Sequence, residues 1–190
     1  MITQPRATPR GTVSRAARDR GMHADAIPTT PTTPFARAAR WLVSPATDAP
    51  AATLLIRLMT GLVFCSEGII KFLFANQGVG RFTKLGFPMP DVTATGIAVF
   101  EVLGGLLLVV GLYTRLVALG FSIEMVVAIA TTKISIGLGT SPLGQPGSPP
   151  QTGIWAVLHE SRTDWCMLVG CVFLVLVGAG VRSLDARRAT

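Results

Sequence analysis

The sequence predicts an all-α fold, a polytopic membrane four-helix bundle preceded by a disordered N-terminal tail. Three observations predict it. First, 49% of the 190 residues are hydrophobic and only 14% are charged, where a soluble domain carries about 25%. Second, four long apolar segments follow residue 50, each approaching the ~20 residues that span a hydrocarbon core. Third, seventeen Lys and Arg stand against ten acids, a net charge of +7, and they gather in the tail or flank the apolar segments. That placement obeys the positive-inside rule, so the basic balance reads as topology and not as nucleic-acid binding.

Residues 1–50 read as a disordered Arg/Pro/Thr-rich cytoplasmic tail. "IPTTPTTP" (27–34) cannot hold a helix. The tail has no apolar h-region, so it does not read as a secretory signal peptide. "FARAARWLV" (35–43) has the pattern of a short amphipathic helix lying on the membrane. Phe35, Trp41 and Leu42 would anchor it, with Arg37 and Arg40 at head-group level.

Residues 51–186 form the transmembrane domain, with helices expected at about 52–74, 92–112, 115–135 and 164–181. The runs are unbroken, unlike strands, and a bilayer admits only helices or closed barrels. "YT" (113–114) leaves helices two and three in a tight hairpin. The first connection, 75–91, is a Gly/Pro-punctuated loop; its G-V-G follows no strand and is too short for a dinucleotide fingerprint. The third connection, opening at 137–153, should be irregular. The tail's seven arginines, Arg115, Arg182, Arg187 and Arg188 fall on one side. This predicts an inner-membrane protein with both termini cytoplasmic.

Charge inside a span costs on the order of 2.5–3.5 kcal/mol at the helix centre, so each instance needs a partner, a cavity or a snorkelling route. On helix one, Gly61, Phe64, Glu67, Gly68 and Lys71 lie within about 80° of Arg57. Glu67 and Lys71, four apart in the favourable order, are expected to pair, and Arg57 to snorkel. Helix two carries Glu101 among Ala94, Ala98, Gly104 and Gly105. Helix three carries Glu124, with Arg115 and Lys133 about 180° away and expected to snorkel. Glu67, Lys71, Glu101 and Glu124 therefore form a candidate intramembrane polar centre. It is either a proton or ligand site or a hydrogen-bonded knot that specifies packing.

"VLHESRTDW" (157–165) stands at the threshold of the fourth apolar run. Ser161 and Asp164 fit a helix-start pattern with Ser161 as N-cap, and Trp165 suits the interfacial belt. His159 and Arg162 have no such explanation. With Glu160 and Asp164 they form a candidate outer mouth. Cys65, Cys166 and Cys171 make no C-x-x-C pair and read as buried inert thiols. His23 and His159 are the two histidines, which disfavours a bis-histidine haem. There is no metal cluster in the spacing, no P-loop and no G-x-S-x-G.

"RLMTGLVFCSEGIIKF" (57–72), "GVGRFTKLGFPMP" (78–90), "FEVLGGLLLVVGLYTR" (100–115) and "GAGVRSLDA" (178–186), taken in order, resemble the DoxX family of small four-helix bacterial membrane proteins. The similarity covers about residues 52–186, and "LHESRTDWCMLVG" (158–170) is similar to one branch. By motif match, Arg57, Gly68, Lys71, Glu101, Gly104, Gly105 and Arg115 occupy family positions, with Ser183, Leu184 and Asp185 its terminal signature. The resemblance implies the membrane component of a redox-linked complex, associated with quinones or thiols and with an oxidoreductase partner. No cofactor motif is evident; quinone, or a small anion between the helices, is what the resemblance leaves open, and whether the chain is itself an enzyme is not decided. The alternatives are a non-catalytic scaffold recruiting a soluble partner and, ranked last, a small transporter.

Overall fold

The computed structural model of the chain describes residues 33–43 and 49–189. The predicted disorder of the tail falls almost wholly outside the described residues. The chain divides into two compact units, residues 1–37 and 38–190; of the first, only the opening of one helix is described.

Nine α-helices are described: α1 Pro34–Val43, α2 Thr53–Leu73, α3 Val79–Lys84, α4 Pro90–Val110, α5 Thr114–Ala128, α6 Ile134–Gly137, α7 Gly153–Glu160, α8 Arg162–Val177 and α9 Leu184–Ala189. A π-helical turn, Ile129–Lys133, joins α5 to α6 without a break. Among the described residues, three helical stretches are long and apolar enough to cross a membrane: α2, α4 and Thr114–Gly137. At 1.5 Å per residue, 21 residues of α2 or α4 reach about 31 Å, a hydrocarbon thickness. The fourth apolar segment is shorter than its composition suggested. α8 has 16 residues and ends at Gly178, whose φ is +91°.

α2 packs along α4, and α5 along α8. The first pairing depends on glycine. A Cβ on Gly105 would stand 2.5 Å from the Gly61 carbonyl oxygen and 2.7 Å from Cys65 Sγ, so only hydrogen fits between the two backbones. The pairs meet through Phe64 and Phe121, whose rings stack with centroids 3.7 Å apart, and Phe100 tilts against Phe121 at 4.7 Å. Leu108, Val117, Ala118, Met167, Cys171 and Leu174 complete this core. The opposite faces present Leu55, Leu62, Leu103, Ile123, Val169 and Leu176 outward. An apolar surface that continuous suits lipid and not water.

Arg57, expected to snorkel, is instead 1% exposed. Its guanidinium donates from Nε to the Leu108 carbonyl (2.9 Å), from Nη2 to Val109 (2.7 Å), and from Nη1 to Ala179 (2.9 Å) and Arg182 (2.7 Å). Leu108 and Val109 lie in the last turn of α4, where carbonyls run short of intrahelical partners; Leu108 accepts the Gly111 N–H at 3.1 Å as well. Arg57 satisfies them and ties in the segment after α8. Gly111 makes room: it has φ +71°, and a Cβ there would lie 2.5 Å from Arg57 Cζ. Asp185 closes the same end. Its two carboxylate oxygens accept the backbone N–H groups of Tyr113 and Thr114, each at 3.0 Å, which caps the start of α5.

Three other expectations change. The first connection holds a helix, α3, because Phe82 packs inward and tilts against Phe87 at 5.1 Å. Ser161 does not cap α8: its hydroxyl turns back to donate to the Val157 carbonyl at 2.5 Å, and His159 lies on α7, not in a loop. Cys166 faces outward, while Cys65 and Cys171 are buried.

Replacing Arg57 should be among the most damaging changes in the chain. Arg57→Met leaves Asp185 without its buried counter-charge and takes a charged donor from four carbonyls, of which Leu108 keeps the Gly111 N–H. We expect a loss on the order of 3–5 kcal/mol, as for a broken buried pair. Arg57→Lys should recover only part of it, because an ammonium lacks the planar fork. Unfolding midpoints of the three proteins in a mild detergent read the order directly.

Candidate functional site: a charged cavity between the helices

At the opposite end from Arg57, the helices diverge around a cavity of about 550 Å³. α2 supplies Glu67 and Lys71, α3 Arg81 and Phe82, α4 Phe100 and Glu101, α5 Glu124 and Met125. The π turn supplies Lys133, and the α7–α8 corner Glu160, Thr163 and Asp164. Glu67, Lys71, Glu101 and Glu124 do line one space. Their pairing differs from the expected one.

Lys71 bonds Glu101, not Glu67. Its Nζ lies 2.8 Å from Oε1 and 2.7 Å from Oε2. Gly68 makes this approach feasible, since a Cβ there would meet Glu101 Cβ at 2.9 Å. With the backbones that close, an ammonium one turn along α2 reaches the α4 carboxylate. The choice of partner follows from burial. The Glu101 side chain is 3% exposed and loses far more if left unpaired than Glu67, which is exposed. Glu124 faces this pair, with Glu101 and Lys71 both acting on its carboxyl group. Its carboxyl group shares a side-chain hydrogen bond with Glu101.

Lys133 was expected on the face opposite Glu124. Nine residues at 100° each give that result for an unbroken α-helix. The π turn holds one extra residue, so everything after it lags by about 100°. Lys133 is thereby turned into the cavity, where its Nζ lies 3.3 Å from Asp164 Oδ2. The turn has local support. Thr131 and Thr132 donate their hydroxyls to the Val127 (2.8 Å) and Ala128 (2.6 Å) carbonyls, and Ser135 to Thr132 (2.9 Å). Such back-bonding bends helices. The hydroxyl-rich "TTKIS" (131–135) was the signal for it.

The outer mouth divides. Glu160 and Asp164 are half-buried and line the cavity. His159 and Arg162 are exposed, and the Arg162 guanidinium folds back onto the His159 carbonyl. Arg81, Lys133 and Thr163 are lining residues that sequence reasoning did not place. Among the described residues, no three His, Cys, Asp or Glu side chains gather into a metal-binding group.

The comparisons agree with the resemblance. The DoxX family model matches residues 52–134. "Uncharacterized membrane protein Rv3486" of Mycobacterium tuberculosis (strain ATCC 25618 / H37Rv) is 41% identical over 141 residues, covering 74% of this chain and 83% of that protein. "Putative oxidoreductase CatD" of Bacillus subtilis (strain 168) is 37% identical over 133 residues, covering 70% and 84%. No solved structure matches the chain.

The pairing can be tested without a ligand. Lys71→Met, which strands Glu101, should cost on the order of 3–5 kcal/mol. Glu67→Gln should stay within about 0.5 kcal/mol, as surface changes do. A Lys71→Met/Glu101→Leu double variant should regain most of the loss, because both charges leave together. Chemical denaturation in detergent compares the three; a Glu67 effect as large as that of Lys71 would overturn the assignment.

Proposed function

We propose, from the premise that this chain belongs to the DoxX family of membrane proteins, that it is the membrane component of a redox-linked complex and that the cavity receives a quinone-type ring. The observation that carries the reading is the Lys71–Glu101 ion pair inside an aromatic-walled cavity, with the Glu124 carboxyl group hydrogen-bonded to Glu101 beside it. About 550 Å³ falls within the range of small-molecule sites. Phe64, Phe82, Phe87 and Phe100 offer flat apolar walls. Lys71 offers a donor, and the hydrogen-bonded carboxyl pair Glu101–Glu124 offers a shared proton and its oxygens, as proton handling requires.

A quinone, when bound, supplies a two-electron, two-proton acceptor. This chain's residues hold the ring, exclude lipid and keep protonatable groups at its edge. The charge balance favours a neutral guest over a small anion: Glu67, Glu101, Glu160 and Asp164 outnumber Lys71, Arg81 and Lys133 around the cavity. The name of the Bacillus relative points to redox chemistry in that protein, which supports the reading here by kinship alone. A scaffold reading draws on α7, which turns Ile154, Trp155 and Leu158 outward beside His159 and Arg162. That face suits the oxidoreductase partner a complex needs, so it complements the leading reading.

Titration of the purified protein with a short-chain quinone analogue, followed by thermal shift, tests the site. Lys71→Arg and Glu124→Gln should each weaken binding by about tenfold or more, the loss for a hydrogen bond to a charged group. Unchanged affinity in both variants would sink the proposal.

The arginine-rich end, by the positive-inside rule, is the cytoplasmic one. Both described ends of the chain meet there, Trp41 against Arg115 and Arg188 against Tyr113. The cavity then opens on the extracytoplasmic side. A protease site inserted at Gly144, in the connection before α7, should be cut from outside intact cells; cleavage only after lysis would reverse the topology.

A further inference from the structure

The arginine-rich end carries a second arrangement that the redox reading does not use. The guanidinium of Arg115 stacks over the Trp41 ring, with Cζ 4.2 Å from its centroid. Two long hydrogen bonds, each 3.4 Å, reach the Trp41 and Leu176 carbonyls. Its Nε is buried and has no partner. Two residues earlier, the Tyr113 ring lies under Arg188, 4.6 Å from centroid to Cζ. Arg182 is exposed on the same rim.

Asp185 is the one carboxylate among the described residues at this end, and both its oxygens accept backbone N–H groups while the residue is 5% exposed. Among the described residues, the ion pairs are Lys71–Glu101 and Lys133–Asp164, both in the cavity. The rim therefore presents the exposed Arg188 guanidinium and, on Arg115, a second N–H on each Nη nitrogen. They are framed by an indole and a phenol, at the level where a span leaves the hydrocarbon.

The geometry points to a binding site for the phosphate head group of an anionic phospholipid, formed by Arg115 and Arg188 with Trp41 and Tyr113. The guanidinium fork matches a phosphate diester, which accepts two parallel N–H bonds. Trp41 holds the fork in place by its ring face, and the acyl chains have the exposed apolar sides of Leu116 and Leu176 to run along. Helix α1, through Trp41, covers the site from the aqueous side. This site is independent of the cavity and of any redox role.

Native mass spectrometry of the full-length protein, titrated with phosphatidylglycerol or phosphatidylcholine in detergent, tests the site. Wild type should retain phosphatidylglycerol in preference. Each of Arg115→Gln and Arg188→Gln should reduce that preference by about fivefold, the scale of one basic residue at a charged lipid surface. Lys84→Gln, which removes equal charge at the cavity end, should leave it unchanged. Arg188 is exposed, so its variant tests the site even if Arg115→Gln folds poorly. A preference that survives Arg188→Gln overturns the proposal. So does an equal loss in Lys84→Gln, which would mean unspecific attraction. Competition by inorganic phosphate at the lipid's own concentration would make the ligand a free anion and overturn the lipid assignment.

Discussion

The Arg57 guanidinium is the constraint around which the bundle is built. Four carbonyls from two separate parts of the chain accept its N–H groups. The bonds to the buried Leu108 and Ala179 carbonyls lie where the apolar surroundings offer little water to replace them. α4 ends where it does because its last carbonyls find donors there, and the chain after α8 returns to the same point for the same reason. Asp185 then caps α5 and brings a counter-charge to Arg57. Remove the arginine and the ends of α4, α5 and α8 lose their common anchor together.

From that anchor, the α2–α4 contact runs along a line of small residues. Gly61 meets Gly105, and Gly68 meets Ala98 and Glu101. The contact that makes the helices adhere therefore also sets where Glu101 stands and how far Lys71 must reach. Packing and charge placement are one decision here. The bundle is tight at the Arg57 end, where all three guanidinium nitrogens of Arg57 and both oxygens of Asp185 are used, and open at the cavity end. There Glu101, Glu124 and Lys71 hold one another through an ion pair and a carboxyl–carboxyl hydrogen bond.

The fold was legible because the bilayer allows few solutions. Apolar runs of spanning length gave α2, α4 and the α5–α6 helix to within about two residues at most ends, since a helix must cover the hydrocarbon. Glycine and charge on shared faces identified Glu101 and Lys71 as inward-facing. What the sequence did not reveal lies in two kinds of place. One is partner choice: Glu67 is the local neighbour of Lys71, but burial of Glu101 outweighs proximity along the chain. The other is helical phase. A wheel drawn through Thr131–Lys133 assumes 3.6 residues per turn, and one π turn was enough to move Lys133 from the lipid face to the cavity.

The charged stretch before α8 shows how the two kinds combine. Read alone, Ser161 and Asp164 look like a cap and its companion. In the fold, the Ser161 N–H and hydroxyl both donate to the Val157 carbonyl, so the side chain is turned back into α7 and away from the first N–H groups of α8. Asp164 is released to meet Lys133, and that meeting exists only because the π turn has rotated Lys133 toward it. His159 and Arg162, on the far side of the same corner, stay outside. A single corner thus separates the chain's charges into those that face the cavity and those that face its surroundings. The residue that decides the division is not in the corner at all; it is the extra residue accommodated in the π turn across the cavity.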